Sequence, residues 1–127
     1  MSWRFWTSAP PSSNAPVSSL CTGSGRVVAR EAYWLESFCE RGRGWLFHAP
    51  DPNLALAIPL ALGERLHSIG LRFALDIAYC DASGKVLHIL TLPAFRIAPA
   101  VPGAVVAWEL MAGTLEGVAV GETLLCD

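Results

Sequence analysis

The sequence lacks a long apolar run, a cluster of basic residues and any closely spaced pair of cysteines. Its longest apolar run, Leu54 to Leu62, is interrupted by Pro59 and is far shorter than the roughly 20 residues that a membrane-spanning helix needs. No membrane span is therefore expected, although the mean hydropathy is +0.41. A Ser/Pro-rich stretch follows Phe5 and Trp6, so the apolar region of a secretory signal is missing and a cytoplasmic protein is predicted.

Charge is also scarce. Charged residues make up 16% of the 127-residue chain, and the formal net charge is -2. Because no run of Lys or Arg forms a basic patch, nucleic acid is not expected as a partner. A hydrophobic content of 53% leaves some apolar surface exposed on a chain of this size, which is compatible with a homodimer.

The cysteines and histidines show no spacing that is typical of a zinc site. The sequence also contains no nucleophile elbow, phosphate-binding loop or dinucleotide-binding fingerprint, so neither a metal nor a cofactor is expected. Buried or half-buried free thiols in a reducing compartment are predicted, and a disulfide stays open because sequence gives no Cα separations. The four cysteines are Cys21, Cys39, Cys80 and Cys126.

The stretch from Leu66 to Lys85 combines a strand pattern, a turn signal and several polar side chains. Asp81 to Gly84 is typical of a tight turn, and Lys85 to Thr91 resumes an apolar-rich strand, so a β-hairpin is predicted. Four apolar residues before the turn recur at every second position and are expected to face the core. They are Phe73, Leu75, Ile77 and Tyr79.

The remaining segments predict a mainly β (α+β) fold, a small single-domain barrel or sandwich of short strands with one main helix near the N-terminus. Residues 1–25 are expected to form a loosely ordered arm, and residues 26–127 the β-rich domain. Aromatic residues at helical offsets predict the helix over Glu31 to Arg41, after a short strand from Arg26 to Arg30. Further strands are predicted at Leu54–Pro59, Val105–Met111 and Thr123–Cys126, and a Pro-rich loop over 93–102.

Several motifs together resemble one protein family. The ten residues from His67 to Asp76 are similar to the signature "H-x-x-G-M-R-F-x-I-D" of the domain of unknown function 192 family. Arg43-Gly44-Trp45-Leu46 is similar to its "R-G-L-L", Glu109 to Thr114 to its "L-E-L-x-A-G-T", and Gly121-Glu122 to its "G-D" turn. The resemblance covers about residues 26 to 126. It implies a small, largely β domain found in bacteria and archaea, with no established activity to carry over.

The sequence departs from the family pattern at three places. Members with the His form often place a Pro-Cys pair a few residues before the His, whereas Pro59 is followed by Leu60 and a longer insert. Without that Cys, a Cys-His nucleophile or metal site is not expected. Leu71 stands where the signature has Met, and Glu122 where the turn has Asp.

The candidate site residues are His67, Arg72, Asp76, Arg43 and Glu109. In a functional interpretation, His67 acts as a general base or ligand group and Arg72 binds an anionic group. In a structural interpretation, Arg72 and Asp76 form salt bridges or backbone bonds, and a backbone carbonyl satisfies His67. A reactive pair of Asp76 and Glu109 needs a separation of roughly 5 to 10 Å, and the structural interpretation of both carboxylates is favoured.

Two functions from different classes follow from these residues. The first is a non-enzymatic binding or accessory module, with a shallow polar pocket for an unknown small ligand or protein partner. The second is a small hydrolase or lyase in which His67 is the general base. A pocket that holds His67 within hydrogen-bond reach of a carboxylate would favour the enzyme, and the missing catalytic motifs favour the binding module.

Overall fold

The computed structural model describes residues 18–35, 45 and 49–126, which form seven β-strands and, within those ranges, no helix. Alternating or continuous apolar residues between Gly- and Pro-containing turns determine most of these strands. The strands are β1 (Ser18–Thr22), β2 (Val27–Trp34), β3 (Leu54–Pro59), β4 (Leu75–Cys80), β5 (Val86–Leu92), β6 (Val106–Met111) and β7 (Leu124–Cys126).

All seven strands belong to one sheet in the order β5-β4-β6-β3-β2-β1-β7. The pair β2-β3 is parallel, and the other neighbouring pairs are antiparallel. The sheet is curled, because its two ends meet where Lys85 forms an isolated bridge with Thr123. The Val86 N–H donates to the Glu122 carbonyl at 2.8 Å beside that bridge. Within the described residues, no helix is long and apolar enough to cross a membrane.

The curl gives the sheet an inner and an outer face, and each carries a hydrophobic core. The inner core takes residues from all seven strands, including Val86 and Leu124 from the two edge strands of the sheet. Only the concave face of a curled sheet can bring both ends together. The outer core combines residues of the five strands β2 to β6 with residues of the covering segments, among them Leu66 and Ala98.

The main correction to the sequence prediction concerns the helix. Glu31–Trp34, the start of the predicted helix, lies in strand β2, which extends through the predicted short strand to Trp34. The helical offsets of the aromatic residues were misleading, because β2 is paired on both sides, by β1 and β3. Such pairing, and the strand preference of Val27, Val28 and Tyr33, outweighs a short helical pattern. The rest of the predicted helix, 36–41, lies outside the described residues.

Other predicted strands are found close to their expected positions. The hairpin of β4 and β5 is confirmed, and the Asp81 carboxylate accepts bonds from the Ser83 and Lys85 N–H groups in its turn, at 2.9 and 3.0 Å. Strand β3 is confirmed at Leu54–Pro59, and β6 and β7 begin one residue later than predicted. Residues 18–22, which the sequence assigned to a loose arm, form strand β1, and residues 1–17 lie outside the described part.

Candidate functional site

Asp76 is a buried carboxylate on the inner face, and its two oxygens accept three hydrogen bonds. Its side chain is 5% exposed. Oδ1 accepts a bond from the Thr91 hydroxyl at 2.7 Å, and Oδ2 accepts bonds from the N–H groups of Gly113 and Leu115 at 2.8 and 3.1 Å. The carboxylate thereby ties the turn after β6 to the hairpin of β4 and β5. This arrangement is that of a structural group, since hydrogen bonds replace the water that burial removes.

Glu109 is an equally buried carboxylate with different surroundings. Its side chain is 5% exposed on the outer face, and no hydrogen bond or ion pair joins its carboxylate to another described residue. Burial raises the pKa of this carboxyl from 4.5 to about 8. Burial, and then the Glu109 charge, raise the pKa of the nearby Tyr79 hydroxyl to about 12. At neutral pH the Glu109 side chain is therefore mainly a neutral acid.

The two carboxylates do not form a reactive pair. Residues directly opposite each other on antiparallel strands lie on the same face of the sheet. Asp76 is opposite Leu110 of the inner core, whereas Glu109 is opposite Ile77 of the outer core. The backbone of the sheet therefore separates the two side chains, and shared acid-base chemistry of the glycosidase type has no geometric basis here.

His67 lies on the outside of the molecule, away from both carboxylates. It is exposed and forms an isolated bridge with Ile97, which joins the segment before β4 to the segment after β5. Its Nδ1 accepts a bond from the Ile69 N–H at 3.2 Å. Among the described residues, no carboxylate is within hydrogen-bond distance of the imidazole. The chain turns at Gly70, where φ is +94°, so His67 and Asp76 do not share one extended strand.

Ser68 holds these two segments together, a role that sequence reasoning missed. It is 1% exposed, and its hydroxyl donates to the Pro93 carbonyl and accepts a bond from the Arg96 N–H at 2.9 Å. Its own N–H donates to the Arg96 carbonyl at 2.8 Å, and its carbonyl accepts a bond from the Phe95 N–H. The signal available in the sequence was a small polar residue beside His67, within the segment that resembles the family signature.

The joined segments present a cationic and apolar surface, which we name the loop patch. Its polar groups are the exposed side chains of Arg65, His67, Arg72 and Arg96. Arg65 also donates from Nε to the Ala98 carbonyl at 3.1 Å. Residues 65–75 and 93–105 contain no Asp or Glu. None of the three guanidinium groups is paired with a carboxylate of the described residues. Arg43, the remaining predicted site residue, lies outside the described residues.

Three exposed apolar side chains complete the loop patch. Ile69, Phe95 and Ile97 are 53%, 59% and 56% exposed. Phe95 adopts a φ of +59°, the left-handed region that L-residues other than Gly, Asn and Asp seldom occupy. The hydrogen bonds of Ser68 to the Phe95 N–H and to both backbone groups of Arg96 hold Phe95 in that conformation. The patch thus keeps a large aromatic ring in solvent at some conformational cost.

A ligand could also lie outside the loop patch. A cleft of about 250 Å³ opens between the turns at 60–64 and 100–104, but its lining is mostly apolar and contains none of the predicted site residues. Within the described ranges, no group of three or more His, Cys, Asp or Glu side chains is placed to hold a metal ion. The loop patch is therefore the surface that gathers the most predicted site residues, namely His67 and Arg72.

Comparisons with known proteins identify the fold. No family model and no curated protein matches the chain. Two crystal structures are similar. One is a protein of unknown function from Novosphingobium aromaticivorans DSM 12444, with a TM-score of 0.68 and 16% identity over 84% of this chain and 81% of that one. The other is a proposed transcription regulator from Sinorhizobium meliloti 1021, with a TM-score of 0.71 and 20% identity over 88% and 98%. At these identities the likeness concerns the fold alone.

Proposed function

We propose that this protein is a non-enzymatic binding module whose loop patch docks an acidic, partly apolar segment of a protein partner. The observation that carries the proposal is the exposed Phe95, held at positive φ beside the exposed Arg96. The hydrogen bonds of Ser68 join this segment to the one that carries the exposed Arg72. Exposed aromatic and Arg side chains are the residue types that contribute most to binding at protein interfaces.

Charge decides the chemistry of the proposed partner. The chain as a whole has a net charge of -2, yet the two segments of the loop patch carry three Arg residues, one His and no acid. Guanidinium groups bind carboxylates with two parallel hydrogen bonds, so Asp and Glu are the expected partners of Arg72 and Arg96. The exposed apolar side chains of the patch would contact Leu or Phe of the same segment.

The hydrogen bonds of Ser68 support the proposal, because they make the surface rigid before binding. A preformed surface loses less conformational entropy when a partner binds. The chain on both sides of the patch is fixed in the sheet, through β4 after residue 74 and β5 before residue 93. A binding surface on loops held by a rigid scaffold is a common arrangement in small β proteins.

The alternative, a hydrolase or lyase with His67 as general base, has less support. A general base is commonly oriented by a second polar side chain, whereas His67 Nδ1 bonds to the backbone of Ile69. The two buried carboxylates lie elsewhere, and Asp76 is fully engaged by donors. The described residues therefore do not bring His67 and a carboxylate together in a way that would support enzymatic activity.

Membership of the domain of unknown function 192 family stays a prediction from sequence motifs. Its signature residues lie in the loop patch and β4, where His67, Ser68, Gly70 and Asp76 each have a distinct conformational or hydrogen-bonding role. The proposed regulatory role of the Sinorhizobium meliloti neighbour makes DNA a useful competitor in binding tests. A cytoplasmic location is also proposed, supported by the buried free thiols of Cys80 and Cys126.

The binding test uses isothermal titration calorimetry with a synthetic ten-residue peptide of alternating Glu and Leu. We expect binding at low ionic strength that weakens as salt is added, since charge pairing at an exposed surface is screened. Arg72→Glu with Arg96→Glu should weaken binding at least tenfold, and Phe95→Gly should weaken it several-fold while keeping a backbone that tolerates positive φ.

Matched controls separate this patch from general electrostatics. Arg30→Glu makes the same charge change as either single variant, Arg72→Glu or Arg96→Glu, at an exposed site on β2 and should leave affinity unchanged. A Lys/Leu peptide should not bind. Preferential binding of a duplex oligonucleotide or of anionic phospholipid vesicles, or equal weakening by Arg30→Glu, would contradict the proposed acidic protein partner.

A further inference from the structure

Strand β5 forms an edge of the sheet and has few of the features that usually prevent an edge strand from pairing with another chain. It pairs with β4 on one side, and on the other side the Val86 carbonyl and N–H bond to the segment before β7. From Leu87 to Leu92 the edge of β5 that points away from β4 has no strand partner among the described residues. Edge strands in natural proteins are usually short or carry Lys, Pro or inward-pointing charges that prevent pairing with another chain.

The composition of this edge is unusual in that respect. The strand reads VLHILTL over Val86–Leu92, with no charged residue and no proline before Pro93. Its one irregularity is a register shift near Val86, at the end already paired with the other edge of the sheet. The opposite edge strand, β7, has only three residues. Among the described residues, the longest strand edge without a partner is therefore also one without a charged residue.

The hydrogen-bonding direction of β5 follows from the register of the sheet. The carbonyl of Ala74, just before β4, accepts a bond from the chain just after β6, so even-numbered β4 residues direct their backbone groups towards β6. Odd-numbered β4 residues then bond to β5, in the register where Ile77 is opposite Leu90. Ile89 and Thr91 consequently direct their N–H and C=O groups away from the sheet.

We propose that a second copy of this chain pairs antiparallel with the outer edge of β5, so that two sheets join across a twofold axis at Leu90. In this register Ile89 of each copy is opposite Thr91 of the other. Both residues present outward N–H and C=O groups, so each pair exchanges two hydrogen bonds and the interface gains four. A β-branched pair of this kind is favourable across strands.

The uncharged edge favours a second copy over a different partner. Specific heterologous partners are usually selected by complementary charges, and this edge offers none. Pairing with itself brings no like charges together, since the sequence VLHILTL has only His88 as a titratable group. The half-buried side chains of Leu87, Ile89 and Leu90 would lose further contact with water in the joined sheet. None of the residues Val86–Leu92 belongs to the loop patch, so variants of the edge and of the patch test the dimer and the binding function separately.

The first test is amide hydrogen exchange of the full chain at about 10 μM and about 1 mM. The proposal predicts that the Ile89 and Thr91 amides become at least tenfold more protected at the higher concentration, while the His88, Leu90 and Leu92 amides, bonded to β4, are protected at both. Rapid exchange of both amides at both concentrations would overturn it. Protection that does not depend on concentration would also overturn it, because another segment of the same chain would then cover the edge.

The second test measures the dimer dissociation constant by sedimentation velocity. Ile89→Pro removes an outward N–H and no bond to β4, and it should raise the dissociation constant at least tenfold. His88→Lys adds the charge that protects natural edges and should also weaken the dimer, whereas Val27→Lys, at an exposed site on β2, is the matched control. Circular dichroism verifies that each variant is folded. A dimer that forms equally well in the folded His88→Lys and Ile89→Pro variants uses another surface, and the proposal is then wrong.

Discussion

Asp76 and Glu109 are the same kind of group at the same depth on neighbouring strands, yet their surroundings differ. Both side chains are 5% exposed. Asp76 accepts three hydrogen bonds on the inner face, whereas on the outer face no described residue donates to the Glu109 carboxylate. The difference shows that burial alone does not determine what a carboxylate does. Donors make Asp76 a fixed acceptor that joins two turns, and their absence among the described residues favours the neutral acid at Glu109.

The largest loss of stability is expected when the Asp76 carboxylate on the inner face is removed. Asp76→Ala leaves the Thr91 hydroxyl and the N–H groups of Gly113 and Leu115 without their acceptor, so the free energy of unfolding should fall by about 3–5 kcal/mol. Urea denaturation measures the change. Thr91→Val is the control, because it removes one of the three donors and should cost only about 1 kcal/mol. A loss below 1 kcal/mol for Asp76→Ala would show that water replaces these bonds.

On the outer face the comparison predicts a dependence on pH. The pKa of Glu109 is raised from 4.5 to about 8 by folding, so the folded state holds one more proton than the unfolded state between these values. The free energy of unfolding therefore falls as pH rises from 4.5 to about 8, by a few kcal/mol from this group, and is constant above. Glu109→Gln should be more stable than the parent at pH 8, with a difference that disappears towards pH 5. If the difference in free energy of unfolding between Glu109→Gln and the parent were the same at every pH, a raised pKa of Glu109 would be excluded.

The buried Ser68 hydroxyl is a neutral group that, like the Asp76 carboxylate, joins two segments by hydrogen bonds. The Ser68 hydroxyl bonds to the Pro93 carbonyl and the Arg96 N–H, so Ser68→Ala should cost about 1–3 kcal/mol and loosen the loop patch. Backbone NMR relaxation should then show faster motion at Phe95 than in the parent protein. Ser83→Ala, in the exposed turn of the hairpin, is the control and should leave the patch unchanged. Unaltered order at Phe95 would mean that packing, not Ser68, fixes its backbone.

The smallest effect is expected at Tyr79, beside Glu109. Its hydroxyl donates to the Pro99 carbonyl at 3.2 Å at a partly buried position, so Tyr79→Phe should cost about 1 kcal/mol or less. Thermal unfolding would measure this change. Because the variant leaves Glu109 in place, the pH dependence should persist. If Tyr79→Phe removed the pH dependence, the titrating group would be coupled through Tyr79 and the assignment to Glu109 alone would be wrong.

The elements that sequence reasoning predicted are those with strong local signals. The Asp81–Gly84 turn sets the hairpin, and the apolar run Leu54–Pro59 between prolines sets β3. The predicted helix was wrong at Glu31–Trp34, because pairing with β1 and β3 is a long-range contact that no local pattern encodes. Most strands could thus be placed from the sequence, and their neighbours in the sheet could not.

The candidate site was less predictable, for reasons that lie in the sheet. Both faces of β4 and β6 are buried, so alternation does not show that Asp76 and Glu109 lie on opposite sides. That result depends on the register between strands. The position of Phe95 had no signal either, since a positive φ is rarely associated with Phe. His67 and Arg72 were identified as candidates, but their apolar neighbours in the loop patch come from the segment 95–97, which adjoins them only in the folded chain.

The central claim is that the loop patch binds an acidic segment and that neither buried carboxylate takes part in binding. Chemical-shift mapping by NMR, with ¹⁵N-labelled backbone and ¹³C-labelled carboxyl groups, tests both parts during titration with the Glu/Leu peptide. We expect shifts confined to the amides of residues 65–72 and 93–97, with the carboxyl signals of Asp76 and Glu109 unchanged. Shifts at Glu109 and Tyr79, with the loop patch unaffected, would contradict the claim and place the binding site on the outer face of β4 and β6.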